Sequence, residues 1–115
     1  MSIERKHGNQ RLSKLVIHGN TVYLAGIVAD HPIPDVGAQT GQILDQIDQL
    51  LSEAGSDKTK MLTATIWLAD MRYYDEMNTV WDKWVPAGCA PARACVEARL
   101  ATPKYWVEIR IVAGR

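Results

Sequence analysis

Cysteine is scarce in this chain. Cys89 and Cys95 are the only two among 115 residues, too few and too close together for the bridged frameworks of small secreted domains. Long hydrophobic runs are missing too, since none approaches the ~20 residues of a membrane helix. The opening Met1-Ser2-Ile3-Glu4-Arg5-Lys6-His7 carries charge with no apolar stretch behind it, so no secretory leader is expected. Together these absences point to the cytoplasm, where both thiols stay reduced. Nor is there an excess of either charge. Thirteen Lys and Arg offset thirteen Asp and Glu, whereas nucleic-acid binding draws on surplus basic side chains that displace counterions. Nucleic acid is therefore not an expected partner, and neither is a membrane. A neutral chain tends to associate, and specific self-association is one way for it to remain soluble.

The familiar catalytic signatures are lacking as well. There is no Walker loop, no G-x-G-x-x-G, no G-x-S-x-G, no C-x-x-C and no H-E-x-x-H. His7, His18 and His31 fall in a tail, a strand end and a loop without ligand spacing. No metal site is expected.

What is present is well patterned. With 47% hydrophobic residues the chain can bury one core without staples, and residues 1–115 read as a single domain. Leu15 to His18 and Thr21 to Ile27 flank the turn signal Gly19-Asn20, which predicts a hairpin. Ile3 to Lys6 adds a short edge strand. Val28 to Gly37, with Pro32 and Pro34, reads as a surface loop. Asp35 is placed to cap a helix and Gly55 to end it. Between them Ile43, Ile47, Leu50, Leu51 and Ala54 recur at helical spacing. Leu62 to Leu68 reads as a strand with Leu62, Ala64, Ile66 and Leu68 on one face. Tyr74, Met77, Trp81 and Trp84 mark a second helix, stopped by Pro86. Two last strands lie near Ala92 to Arg99 and Trp106 to Val112. Two one-sided helices can cover one face of such a sheet, giving an α+β, two-layer fold with a mixed sheet.

The uncovered face carries the functional question. In the last two strands Arg93, Cys95, Glu97 and Arg99 alternate with apolar residues, as do Glu108 and Arg110. If those strands pair, Arg and Glu oppose one another across the ladder, alongside Tyr23, Ala25, Ile27, Thr63, Thr65 and Trp67. Such a mixed face suits either open water or a subunit interface with clefts at its edge. Arg93, delivered by the rigid Ala90-Pro91 turn, offers a planar donor fork for a carboxylate. In a cleft it would act as an anchor; on an open surface it would pair with Glu97 or Glu108. Arg93 also stands two residues from Cys95 and could lower its pKa toward a nucleophilic thiolate, although a small packing residue is the simpler role.

The ordered set Gly19-Asn20-Thr21-Val22-Tyr23-Leu24-Ala25-Gly26, Gln39-Thr40, Ala54-Gly55-Ser56, Leu68-Ala69-Asp70-Met71, Asn78, Pro91-Ala92-Arg93 and Val107-Glu108-Ile109 resembles the Rid (RidA/YjgF) family of reactive-intermediate deaminases. Trp81-Asp82-Lys83-Trp84-Val85 and Pro103-Lys104-Tyr105 look most like its YoaB-like branch. The resemblance implies a chorismate-mutase-like fold and a homotrimer with ligand clefts between subunits. It implies hydrolysis of 2-imino or 2-enamino acids to keto acids and ammonia without a cofactor, or else binding of small carboxylates without catalysis. Carried over residue by residue, Arg93 is the carboxylate anchor and Cys95 the cleft cysteine, both counted as catalytic. Asn78, Ala94, Gly26 and Ile27 line the substrate cleft. Arg110 also joins the cleft, at the position where RidA-type members hold a glutamate implicated in positioning water. Ala25 and Leu12 depart from the family serine and aromatic ring. An old family label, endoribonuclease, fits the neutral charge least.

Overall fold

Asp35 adopts extended backbone and its carboxylate accepts from the Ala38 N–H, so α1 starts at the next residue and spans Val36–Glu53. At the other end Gly55 takes φ 75°. The Ser56 N–H reaches the Leu51 carbonyl and the Gly55 N–H reaches Ser52, the double closure for which a left-handed glycine is needed. A computed structural model of residues 1–115 arranges the rest as six strands and a second helix. They are β1 (Ile3–Gly8), β2 (Ser13–His18), β3 (Thr21–Leu24), β4 (Met61–Leu68), α2 (Tyr74–Trp84), β5 (Ala92–Glu97) and β6 (Val107–Gly114). Gly19 opens the β2–β3 turn at φ 62°, where a side chain would be strained.

The sheet order is β1-β2-β3-β6-β4-β5. Only β4 and β5 run parallel, with α2 between them as the crossover that parallel strands require. Both helices lie on one face, forming the two-layer α+β domain. The core joins Ile43, Leu44, Ile47 and Leu51 of α1 with Leu15, Ile17, Val22, Ile66, Leu68, Ile109 and Ile111 of the sheet. Met77 and Trp81 bring α2 onto it. Asp48, on the polar side of α1, accepts from the Trp84 indole N–H at 3.1 Å and ties the two helices together.

Three strand expectations change. First, β5 and β6 do not pair, because β4 lies between them. Second, the β4–β5 register matches Ala64 with Arg93, Ile66 with Cys95 and Leu68 with Glu97. Residues opposite one another share a face, so Arg93, Cys95 and Glu97 point to the helix side, while Ala94 and Val96 point to the open side. An edge strand has its helix face only half covered, which lets a long polar side chain occupy it, while Val96 on the uncovered side is exposed. Third, a register shift between Met61 and Thr63 puts Met61 in the core and leaves Leu62 52% exposed. One extra residue reverses the alternation at that point. Ile27 likewise leaves the open face. It is buried and exchanges both backbone hydrogen bonds with Ile109.

Candidate functional site

The open face of the sheet is ordered by register into rows. Val16, Tyr23, Val112 and Thr63 form one; Arg110, Thr65 and Ala94 a second; Glu108, Trp67 and Val96 a third. No element of the chain covers these rows. No helix is long and apolar enough to cross a membrane.

Arg93 leaves the edge strand on the other side, under α2. Its Nη1 donates to Asn78 Oδ1 at 2.7 Å and its Nη2 to Tyr74 Oη at 3.2 Å. The guanidinium carbon lies 5.4 Å from the Trp81 ring centre and 5.8 Å from that of Tyr74, in range for cation–π attraction. Tyr74, Asn78 and Trp81 occupy one face of α2 because residues four and three apart stack along a helix. The only ion pairs are His7–Glu53 and Arg72–Asp70. Glu97, one expected partner of Arg93, instead accepts from the Met71 N–H at 2.8 Å. Glu108, the other, is on the opposite face of the sheet. Arg93 is thus a half-buried cation whose protein partners are all neutral. It opens into a hollow of about 360 Å³ shared with Asn78, Trp81, Asp82 and Pro91.

Cys95 follows Arg93 on the same face and packs against the core. Burial pushes its thiol pKa up, and the pull of Arg93 in the other direction is the smaller effect. The thiol is therefore held as a neutral SH group instead of an activated thiolate.

The second group of residues lies on the open face. Gly26, just beyond β3, is exposed, and its N–H and C=O make no hydrogen bond within the chain. The Glu108 carboxylate lies directly over it, so that any side chain at position 26 would collide with the carboxylate. Glu108 is half-buried, and burial alone pushes its carboxyl above the usual carboxylate range. Arg110, next along the same face of β6, is exposed.

The expected site residues thus fall into two clusters. Arg93, Asn78 and Cys95 gather beneath α2, while Gly26, Arg110 and Ala94 share the open face. Ile27 abuts the second cluster in sequence, but its side chain enters the core. The two clusters lie on opposite faces of one sheet. Tyr74 was legible only as a helix marker; the signal that could have revealed more is its i, i+4 spacing to Asn78. No three His, Cys, Asp or Glu side chains come close enough to share a metal ion.

A family model described as Endoribonuclease L-PSP matches residues 4–114. A RutC family protein named YoaB from Escherichia coli (strain K12) is 48% identical over 114 residues, covering 99% of each chain. The crystal structure of a YjgF family member from Neisseria meningitidis has a TM-score of 0.97 at 47% identity, covering 100% of this chain and 96% of that one. A protein from Acinetobacter baylyi named 3-aminoacrylate deaminase RutC is 33% identical over 100 residues, 82% of this chain and 79% of its own.

Proposed function

The chain belongs to the Endoribonuclease L-PSP family, the YjgF or Rid group, and from that premise we propose that it hydrolyses small 2-imino or 2-enamino acids to 2-keto acids and ammonia. The observation that carries this reading is Arg93, held by Asn78 and Tyr74 with no carboxylate of its own. A sheltered guanidinium with neutral partners keeps its charge for an anionic ligand, and such a charge-assisted contact contributes about 1.5–3 kcal/mol. With the carboxylate held there, the adjacent C2 presents its C=N bond to water. The deaminase name of the Acinetobacter baylyi relative points to the same chemistry.

The separation of the two clusters bears on assembly. Arg93 and the Gly26–Arg110 patch cannot converge on one small ligand within a chain, since the sheet lies between them. A site using both takes Arg93 from one subunit and the open face from the next. A homotrimer closing the open faces inward would supply three such sites, and it would cover the exposed Tyr23 and Val96.

The test generates imino acids in place with an amino-acid oxidase and follows their loss against a protein-free blank. Wild-type protein is expected to accelerate the loss, and Arg93→Ala to reduce kcat/KM by about 10–100-fold, the value of one sheltered charge-assisted contact. Equal acceleration by Arg93→Ala would sink this reading. A second reading, binding of small carboxylates without catalysis, is favoured by Arg110. A guanidinium stays protonated and cannot accept a proton from water, and a second arginine suits a dicarboxylate. Calorimetric titration with 2-oxo acids and dicarboxylates separates the two. RNA cleavage, which the family's name suggests, lacks the basic surplus that phosphate binding draws on.

A further inference from the structure

The hollow beside Arg93 holds a second charge that the carboxylate anchor does not use. Asp82 stands on its rim, one turn beyond Asn78 on α2, and is exposed. Nothing in the helix accounts for a carboxylate there. Position 82 lies in the last turn of α2, where the helix dipole disfavours negative charge. The residues one turn away are Asn78, Thr79, Val85 and Pro86, so no lysine or arginine occupies a pairing position along the helix. Lys83 is adjacent in sequence, but successive helical residues do not face each other. Arg93, the one cation lining the hollow, makes no ion pair with Asp82.

We propose that Asp82 determines specificity at this hollow, favouring a ligand whose side chain ends in a cation over one ending in a carboxylate. The proposal rests on Arg93 as the carboxylate anchor and names a substrate class for the deaminase reading. That class is 2-imino acids with an apolar stem and an ammonium or guanidinium tip. Three observations fit this shape. Arg93, with neutral partners only, holds the α-carboxylate at one end. Asp82 lines the same space and has no cation of its own, so its charge is left for the ligand. Between the two, Trp81, Val85, Ala90 and Pro91 supply apolar walls. The methylenes of a basic side chain pack on such walls while the charged tip stays near water. At about 360 Å³ the hollow is at the small end of ligand sites, which run to about 1,000 Å³.

The discrimination is electrostatic and works in both directions. One charge attracts a cationic tip and repels an anionic one, so the ratio between them moves more than either affinity alone. An exposed carboxylate is worth about two- to fivefold in each direction. Because the charge sits at the rim, salt screens it, with a range of about 8–10 Å at ordinary ionic strength. Arg110 pulls the other way, toward a dicarboxylate, but within one chain it stands on the opposite face of the sheet. The ranking of cationic over dianionic ligands therefore reports which of the two residues governs the site.

The test measures by calorimetry three 2-oxo acids of similar length, ending in a methyl, a guanidinium and a carboxylate. The proteins are wild type, Asp82→Asn, Asp82→Lys and Glu76→Gln. The matching imino acids, generated in place by oxidases, are followed in parallel. With affinities normalised to the methyl ligand in each protein, wild type should prefer the guanidinium over the dicarboxylate by about 4–25-fold. Asp82→Asn should bring that ratio close to one, and Asp82→Lys should invert it. Glu76→Gln removes the same charge from the first turn of α2, outside the hollow, and should keep the wild-type ratio. Added salt should shrink the wild-type preference and leave Asp82→Asn as it is. A merely structural role for Asp82 would lower all three affinities together, with no dependence of the ratio on salt. That result, a wild-type preference for the dicarboxylate, or the wild-type ranking in Asp82→Lys overturns the assignment; the deaminase reading stands if imines are still hydrolysed. If the ranking follows Asp82 but no imine is lost faster than in the blank, the specificity holds for binding and only the deaminase reading falls. No binding of any of the three ligands, with no acceleration, removes both.

Discussion

Asn78 offers Arg93 a neutral oxygen at 2.7 Å where an aspartate would offer a charged one. Asn78→Asp keeps the size of the side chain and turns the hydrogen bond into a sheltered ion pair inside one chain. A ligand carboxylate would then have to displace or share that partner. Calorimetry with a 2-oxo acid should show affinity weakened by about 10–100-fold, the worth of one charge-assisted contact, with the melting temperature unchanged or slightly raised. Unchanged affinity would mean that the ligand carboxylate sits elsewhere. Arg93 and Asn78 stood out in the sequence because they fall in matching segments of a family pattern, but the contact between them emerges only in the fold. Glu108 was harder to find. Placed two residues from Arg110 on one strand, it looks like an ordinary solvated glutamate; in the fold it is half-buried, with its carboxylate over Gly26, far off in sequence.

At the scale of elements, the loops that frame the sheet end depend on one side chain. Gln39 in α1 is fully buried. Its amide donates to the Ile33 carbonyl at 2.8 Å and the Lys104 carbonyl at 3.0 Å, and it accepts from the Trp106 N–H at 2.9 Å. The 28–35 loop, the approach to β6 and α1 are thereby joined, with Trp106 stacked 4.7 Å from Tyr73 on the far side. Gln39→Leu fills the space but strands two carbonyls and an N–H away from water. Chemical denaturation should show a loss of about 2–4 kcal/mol, since each stranded group costs about 1–3 kcal/mol and water reaches part of the gap. A change below 0.5 kcal/mol, on the order of a surface substitution, would show that the loops hold without the amide. Periodicity revealed α1, α2 and the hairpin because each carries its own apolar rhythm and its own punctuation, a cap and glycine for α1, Pro86 beyond α2 and Gly19 in the hairpin. It failed where neighbours decide. The facing of β5 is set by its parallel register with β4 and by partial cover from α2, and the alternation in β4 is broken by a bulge that leaves no mark in the residue pattern. Gln39 stood in the sequence with Thr40 as a matching pair of the family pattern, two polar residues on the buried face of α1, and its three partners are invisible until the loops are folded.

At the scale of the whole molecule, the neutral charge of the chain and its uncovered sheet face describe one condition. A face holding Trp67, Tyr23, Val96 and Val112 beside Arg110 and Glu108 has no strong like-charge repulsion to keep copies apart. The same sheet separates Arg93 from Gly26, so any site that needs both is shared across a boundary between chains. Light scattering after size exclusion should return about three times the 12.8 kDa chain mass. Complementation tests the sharing directly. Arg93→Ala and Gly26→Val, each impairing a different half of the site, are expected to keep no more than about a tenth of wild-type activity alone. Co-expressed in equal amounts they mix at random, and a site is intact only when its open face comes from the Arg93→Ala chain and its arginine from the Gly26→Val chain. In a closed ring this occurs in about one site in four, so the mixture should recover about a quarter of wild-type activity. Sites complete within single chains would give no recovery at all, because every chain in the mixture carries one lesion.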